Sequence, residues 1–379
     1  MARLVRGFGV LAAVVALTMV APVSGSAASV GPVSATLPMA SASALIRPNS
    51  QGVVYLGRWR VLRSAASTVT SGSRVAFAFS GTRLAVTFDR AGITNPPQIW
   101  VGIDGATPVL RSVTADRLDL APRGLRPGRH VVEIAVKNVD SRVDRWATSR
   151  RSGLAITAFL LAPGAKILPA PTFGTRRVLF LGDSITEGVR LVSRDRGPNG
   201  ADATRAYAPI VASSFRARFQ QVGYGGQGLL VAGSGGVPAA PATLNWTMSK
   251  VTRDSSFVPD VVVVNLGTND IKASAFDFTA AYAAYLAGVR TAFPKALILA
   301  MRPLGGRHAL DVRDAVLYTD DIKIRYVDTN GWLAPRAYID GVHPGAVGHA
   351  TVAKKLTAVI AKATGWKPAT PRWTALASP

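Results

Sequence analysis

A chain of 379 residues, 48% hydrophobic and 17% charged, is too apolar to stay disordered and long enough for two domains with their own cores. Its 44 Lys and Arg outnumber 21 Asp and Glu, a formal net charge of +23 without any basic run of five or six, which reads either as a solvated surface or as attraction to an acidic polymer. The absence of Cys excludes disulfides, thiolate zinc sites and a Cys nucleophile, and the four His form no HExxH pair, so neither a metal nor a cofactor is expected.

Arg3 and Arg6 precede an apolar run from Gly7 to Val20, followed by the small residues Ser24 to Ala28. A basic start, a short apolar stretch and a small-residue exit describe a secretory signal peptide over 1–28, hence an exported protein. The run is short for a membrane span of about 20 residues, and no later segment suits one. Residues 29–48, rich in Ser, Ala and Pro, read as a linker.

Over 49–168, the segments Val53–Leu62, Arg74–Ser80, Arg83–Asp89, Gln98–Asp104, His130–Val139 and Leu154–Leu161 alternate apolar and polar residues between Gly-containing turns. This pattern predicts an antiparallel β-sandwich. Over 172–367 the rhythm changes. Short apolar runs at Val178–Leu181, Val261–Leu266, Ala296–Met301 and Ile322–Val327 are separated by helix-length segments at Ala203–Phe219, Phe276–Phe293 and Pro344–Ala363. Buried strands alternating with helices predict an α/β domain with a parallel sheet, whose sites lie at the carboxyl ends of the strands. Residues 368–379 read as a tail.

Three motifs sit where such sites are expected. Gly182-Asp183-Ser184-Ile185-Thr186 follows the first strand and places a hydroxyl at the start of a helix, where its own N–H can serve as an oxyanion donor. An ordinary helix cap has the same composition. Gly267-Thr268-Asn269-Asp270 follows Leu266 and offers an amide donor, unless it is only a turn. Asp340-Gly341-Val342-His343-Pro344 precedes a helix and pairs an imidazole with a carboxylate that can fix its tautomer. His349 is a rival base without an acidic residue three positions before it. Gly223, Gly225 and Gly228 form a lone G-x-G-x-x-G, but the next acidic residue is Asp254, beyond a Gly- and Pro-rich loop, which argues against a dinucleotide site. Such a loop can instead turn a backbone N–H toward an oxyanion.

Together, the Gly182-Asp183-Ser184 block, the glycine-rich loop, Gly267-Thr268-Asn269-Asp270 and Asp340-x-x-His343, in this order, resemble the SGNH (GDSL-type) hydrolase superfamily. The resemblance implies a flavodoxin-like three-layer domain and metal-free ester hydrolysis. Ser184 would be the nucleophile, His343 the base and Asp340 its orienting acid, with an oxyanion hole from the N–H groups of Ser184 and Gly226 and the Asn269 side chain. Gly225 is the neighbouring alternative to Gly226. Tyr55-Leu56-Gly57-Arg58-Trp59, Phe79-Ser80-Gly81-Thr82, Val101-Gly102-Ile103-Asp104-Gly105 and Gly128-Arg129-His130 resemble the jelly-roll-like β-sandwich that precedes the hydrolase in the second carbohydrate esterase family, the acetylxylan esterase group. Some members of that family hold the His with a backbone carbonyl; Asp340 implies a full triad here. The implied substrate is an acetylated xylan- or glucomannan-like polysaccharide or oligosaccharide, with no nucleic acid partner and contact with acidic glycan or cell wall through the basic surface. Trp332 could stack on a sugar ring or serve as a core aromatic, and Trp246 is a weaker candidate of the same kind. The alternatives are an esterase or lipase acting on lipid or other small acyl esters, and a non-catalytic polysaccharide-binding protein.

Overall fold

The computed structural model describes residues 43–369. The signal-peptide reading, most of the linker and all but the first two residues of the tail lie outside them. The stretch 44–46, read as linker, is a strand that pairs antiparallel with Phe159–Leu161. Its Ala44 and Ile46 pack against the sandwich core, which is why so short a segment is held.

The front half is a sandwich of two six-stranded antiparallel sheets. One is built around Leu154–Leu161 and Leu84–Phe88, the other around Arg74–Ser80, Arg129–Asn138 and Gln98–Ile103. Facing residues interdigitate; the rings of Phe77 and Phe159, from opposite sheets, lie 4.6 Å apart. The predicted single run Val53–Leu62 divides into Val54–Leu56 and Arg60–Val61, which join different sheets across the turn at Gly57.

Arg129–Asn138 is buried along almost its whole length, including Glu133 and Lys137. The second sheet has no solvent face here, because its outer surface is covered by the α/β half. Arg74 pairs with Glu133 at 2.7 Å and lies over the ring of Phe219 at 5.2 Å, and the Trp100 indole donates to Asp202 at 3.0 Å. Residues 43–369 therefore cohere as one unit holding separate cores.

The second half contains a five-stranded parallel sheet of Arg177–Gly182, Arg218–Gly223, Val261–Asn265, Leu297–Met301 and Ile324–Val327. Counted along the chain, their spatial order is 2-1-3-4-5, the flavodoxin-like arrangement. Alternate residues serve opposite faces. Leu179, Val262, Val264 and Ile298 pack with the helices Ala275–Ala292 and Ala309–Tyr318, while Val178, Phe180, Val263 and Leu299 pack with Tyr207–Ser214 and Ala346–Thr364.

The helices also differ from the sequence pattern. The helix read over Ala203–Phe219 is a 3-10 turn, Ala203–Arg205, and a short helix, Tyr207–Ser214; Phe219 already belongs to the strand Arg218–Gly223. The helix Ala309–Tyr318 was not anticipated, because Leu310, Leu317 and Tyr318 point to solvent and blur its period. Among the described residues no helix is long and apolar enough to cross a membrane.

Candidate active site

Two of the motifs emerge directly at the carboxyl ends of parallel strands, and Asp340–His343 lies in the long connection after the last strand, past the 3-10 turn Pro335–Ala337. Gly182 ends the first strand in a space where a Cβ would meet the Thr186 hydroxyl at 2.0 Å, so only glycine lets the chain turn this tightly. Asp183 caps the next turn, its carboxylate accepting from Ile185 N–H at 2.9 Å. The helix Ser184–Glu187 is a single turn closed by Gly188 at φ 77°. Its dipole is correspondingly small. What remains of the helix-start expectation is the local N–H of Ser184. Burial pushes the Asp183 carboxyl up to about 6.

Ser184 Oγ lies 2.9 Å from His343 Nε2, and His343 Nδ1 lies 2.9 Å from Asp340 Oδ2 and 3.1 Å from Oδ1. The side chains come from positions 159 residues apart in the chain. Burial alone would raise the Asp340 carboxyl. Hydrogen bonds from the His343 N–H, the Arg190 guanidinium, the His343 ring and the Val342 N–H outweigh it and hold the group well below the usual carboxylate range. An ionised Asp340 can only accept, so Nδ1 carries the proton and Nε2 presents its lone pair to the Ser184 hydroxyl. The imidazole is thus set to take a proton from that hydroxyl.

Arg190, itself at φ 55°, pairs with the Asp340 carboxylate. Nothing in the sequence singles it out from the other arginines.

The glycine-rich loop folds over the same strand ends. The Gly225 N–H is already donated to Glu187 Oε2 at 2.7 Å, whereas the Gly226 N–H has no acceptor among the described residues. Gly226 sits at φ 71°, which favours glycine. Of the two candidates, Gly226 is therefore the one with a donor to spare. Asn269 Nδ2 donates to the Gln227 carbonyl at 2.8 Å, which ties the two loops together and leaves the second amide hydrogen available. Buried Asp270 accepts from Leu229 N–H at 3.0 Å and Leu230 N–H at 2.9 Å. The turn chemistry of Gly267–Asp270 thus holds the glycine-rich loop in place.

Glu187 is the residue that motif reading passed over. It is 1% exposed, and it receives Ser71 Oγ at 3.0 Å and the Arg145 guanidinium, both from the sandwich half, besides the Gly225 N–H. Arg145 is itself fully buried and lies over the Tyr224 ring at 5.0 Å. No local pattern marks it: its partners Arg145 and Ser71 sit more than 40 positions away in a different fold type, and Gly225 lies 38 positions further along the chain.

His349 does not join the site. It is fully buried, its Nδ1 accepts from Tyr207 N–H at 3.1 Å, and burial, aided by the nearby His343, lowers it to about 3. Its ring resonances are expected to stay unshifted in an NMR titration from about pH 9 to about pH 4.5. The unfolded chain takes up this proton near pH 6.5, so the folded state loses stability from this residue as pH falls below about 6.5. A His349 midpoint near neutrality would overturn the assignment. Trp332 is half-buried against the core of the helix Ala346–Thr364 and lines a groove separate from Ser184. Trp246 is more exposed, and its carbonyl accepts from buried Arg58 at 2.7 Å. Among the described residues, no three His, Asp or Glu side chains gather as metal ligands would.

Residues 180–351 match the GDSL-like Lipase/Acylhydrolase family. Cellulase/esterase CelE of Acetivibrio thermocellus is 28% identical over 344 residues, covering 84% of this chain and 40% of CelE, so the chain spans less than half of that relative. An acetylxylan esterase / glucomannan deacetylase of Cellvibrio japonicus is 26% identical over 257 residues, 63% of this chain and 68% of that protein. The solved structure of a family two carbohydrate esterase from Clostridium thermocellum in complex with cellohexaose superposes with a TM-score of 0.70 at 27% identity, covering 83% of this chain and 100% of that one.

Proposed function

We infer that this protein, a GDSL-type ester hydrolase built like the family two carbohydrate esterases, is exported and removes O-acetyl groups from a xylan- or glucomannan-like polysaccharide by a Ser-His-Asp mechanism. The observation that carries the reading is the unbroken line from the Ser184 hydroxyl through the His343 ring to the Asp340 carboxylate, 2.9 Å at each step. Export rests on the composition of residues 1–28.

In this reading His343 Nε2 takes the Ser184 proton as Oγ attacks the acetyl carbonyl carbon, and the carbonyl π pair moves onto oxygen. The oxyanion faces the N–H groups of Ser184 and Gly226 and the Asn269 amide. The intermediate collapses, the C–O bond to the sugar breaks, and the imidazolium returns the proton to the leaving alkoxide. Water, deprotonated by the same imidazole, then attacks the acyl-enzyme and releases acetate and the Ser184 hydroxyl. An acetyl group offers little binding energy, so the glycan must supply the orientation.

The protein is expected to release acetate from acetylated xylan or glucomannan, and p-nitrophenyl acetate is expected to outrun esters of longer acyl chains. EDTA should leave both rates unchanged. A clear preference for long acyl chains would replace the polysaccharide reading with a lipid-ester one, and glycan binding without turnover of any ester would leave only a binding protein.

A further inference from the structure

Behind the loop that carries Asp340 and His343 runs a groove of about 610 Å³. Its lining includes Trp332, Leu191 and Val192, together with the two arginines Arg205 and Arg336. Ile339 and Gly345, which flank the loop carrying Asp340 and His343, also line it. Among the described residues no carboxylate lines it. Two more cations stand at its rim: Arg194 donates to the Ile339 carbonyl at 2.9 Å, and Lys355 donates to the Gly331 carbonyl, next to Trp332, at 3.2 Å. Neither Arg205 nor Arg336 takes part in an ion pair among the described residues.

We propose that this groove is a subsite for a uronate-bearing sugar of the substrate, so that the acetylated polymer acted on at Ser184 is an acidic one. The proposal rests on the polysaccharide reading above and adds its charge and the place where it is read. The chemistry is specific. An indole face and branched aliphatic side chains suit the C–H faces of a pyranose ring, and a guanidinium fork matches the two oxygens of a carboxylate. The groove holds more volume than one sugar ring needs, and two of its lining residues, Ile339 and Gly345, flank the loop that carries Asp340 and His343, so a polymer seated in it lies beside that loop. It also gives part of the +23 net charge a local role.

The test compares two forms of one substrate, acetylated glucuronoxylan and the same polymer with its uronates reduced to neutral glucose units. At low salt the wild-type kcat/KM is expected to be about tenfold higher on the acidic form, the size of one charge-assisted contact, and the advantage should shrink as salt rises. In the Arg205→Gln/Arg336→Gln double variant the ratio between the two polymers should fall toward one. Because the readout is a ratio within one protein, a general loss of activity does not imitate it. If wild type treats both polymers alike, or if the double variant keeps the full ratio, the subsite is refuted. A protein that cleaves p-nitrophenyl acetate but releases acetate from neither polymer would refute the polysaccharide reading itself.

Discussion

Replacing Ser184 by alanine is expected to lower kcat toward acetyl esters by roughly 10⁴- to 10⁶-fold, with a thermal unfolding transition close to that of wild type. The asymmetry follows from the geometry. Ser184 is 4% exposed, and its hydroxyl meets the His343 ring in the described structure. Its removal deletes one hydrogen bond, a cost of about 1 kcal/mol, and opens only the volume of an oxygen atom. The strand, the turn at Gly182 and the Asp183 cap do not depend on that oxygen. Activity, by contrast, has no second route: the imidazole and the oxyanion donors would remain, but without a nucleophile they can only assist a bound water. His343→Ala should behave alike, and combining the two changes should cost little more than either alone, because they remove one unit. A Ser184→Ala protein with near wild-type turnover would refute the nucleophile assignment and, with it, the mechanism.

How much of this was legible beforehand differs between elements for physical reasons. The strands Val261–Asn265 and Leu297–Met301 are covered by helices on both faces, so they are apolar runs that any local reading finds. The strand Arg218–Gly223 lies at the sheet edge, and its Gln220 and Gln221 are buried polar residues. Gln220 accepts from Arg58 of the sandwich at 3.0 Å, and Gln221 donates to the Thr186 carbonyl at 2.6 Å. Their polarity answers partners 18 to 162 positions away, so a local pattern reads the segment as the end of a helix. The same division runs through the site. Ser184, Asn269, Asp340 and His343 announce themselves because each motif combines a turn-forming glycine with a reactive side chain. Arg190, Arg145 and Glu187 act through long-range pairing and carry no local mark.

Glu187→Ala is expected to be the most damaging single change away from the reacting atoms, destabilising the fold by about 3–5 kcal/mol. It would strand the Arg145 guanidinium, which is fully buried, and remove the acceptors for Ser71 Oγ and Gly225 N–H at the same moment. Because Gly225 immediately precedes Gly226, the loop that offers the oxyanion donor would lose its anchor, and kcat should fall about 10²- to 10³-fold in protein that is still folded. The two effects can be separated. In an Arg145→Met/Glu187→Leu double variant no charge is left unpaired, so most of the lost stability should return in a denaturant titration. The Gly225 N–H would still lack its acceptor, so kcat should stay low while KM moves little. Recovery of both stability and kcat would mean that the pair only joins the two halves of the fold. Recovery of stability alone would mean that the sandwich, through Arg145, Ser71 and Glu187, also holds the oxyanion loop in its working position.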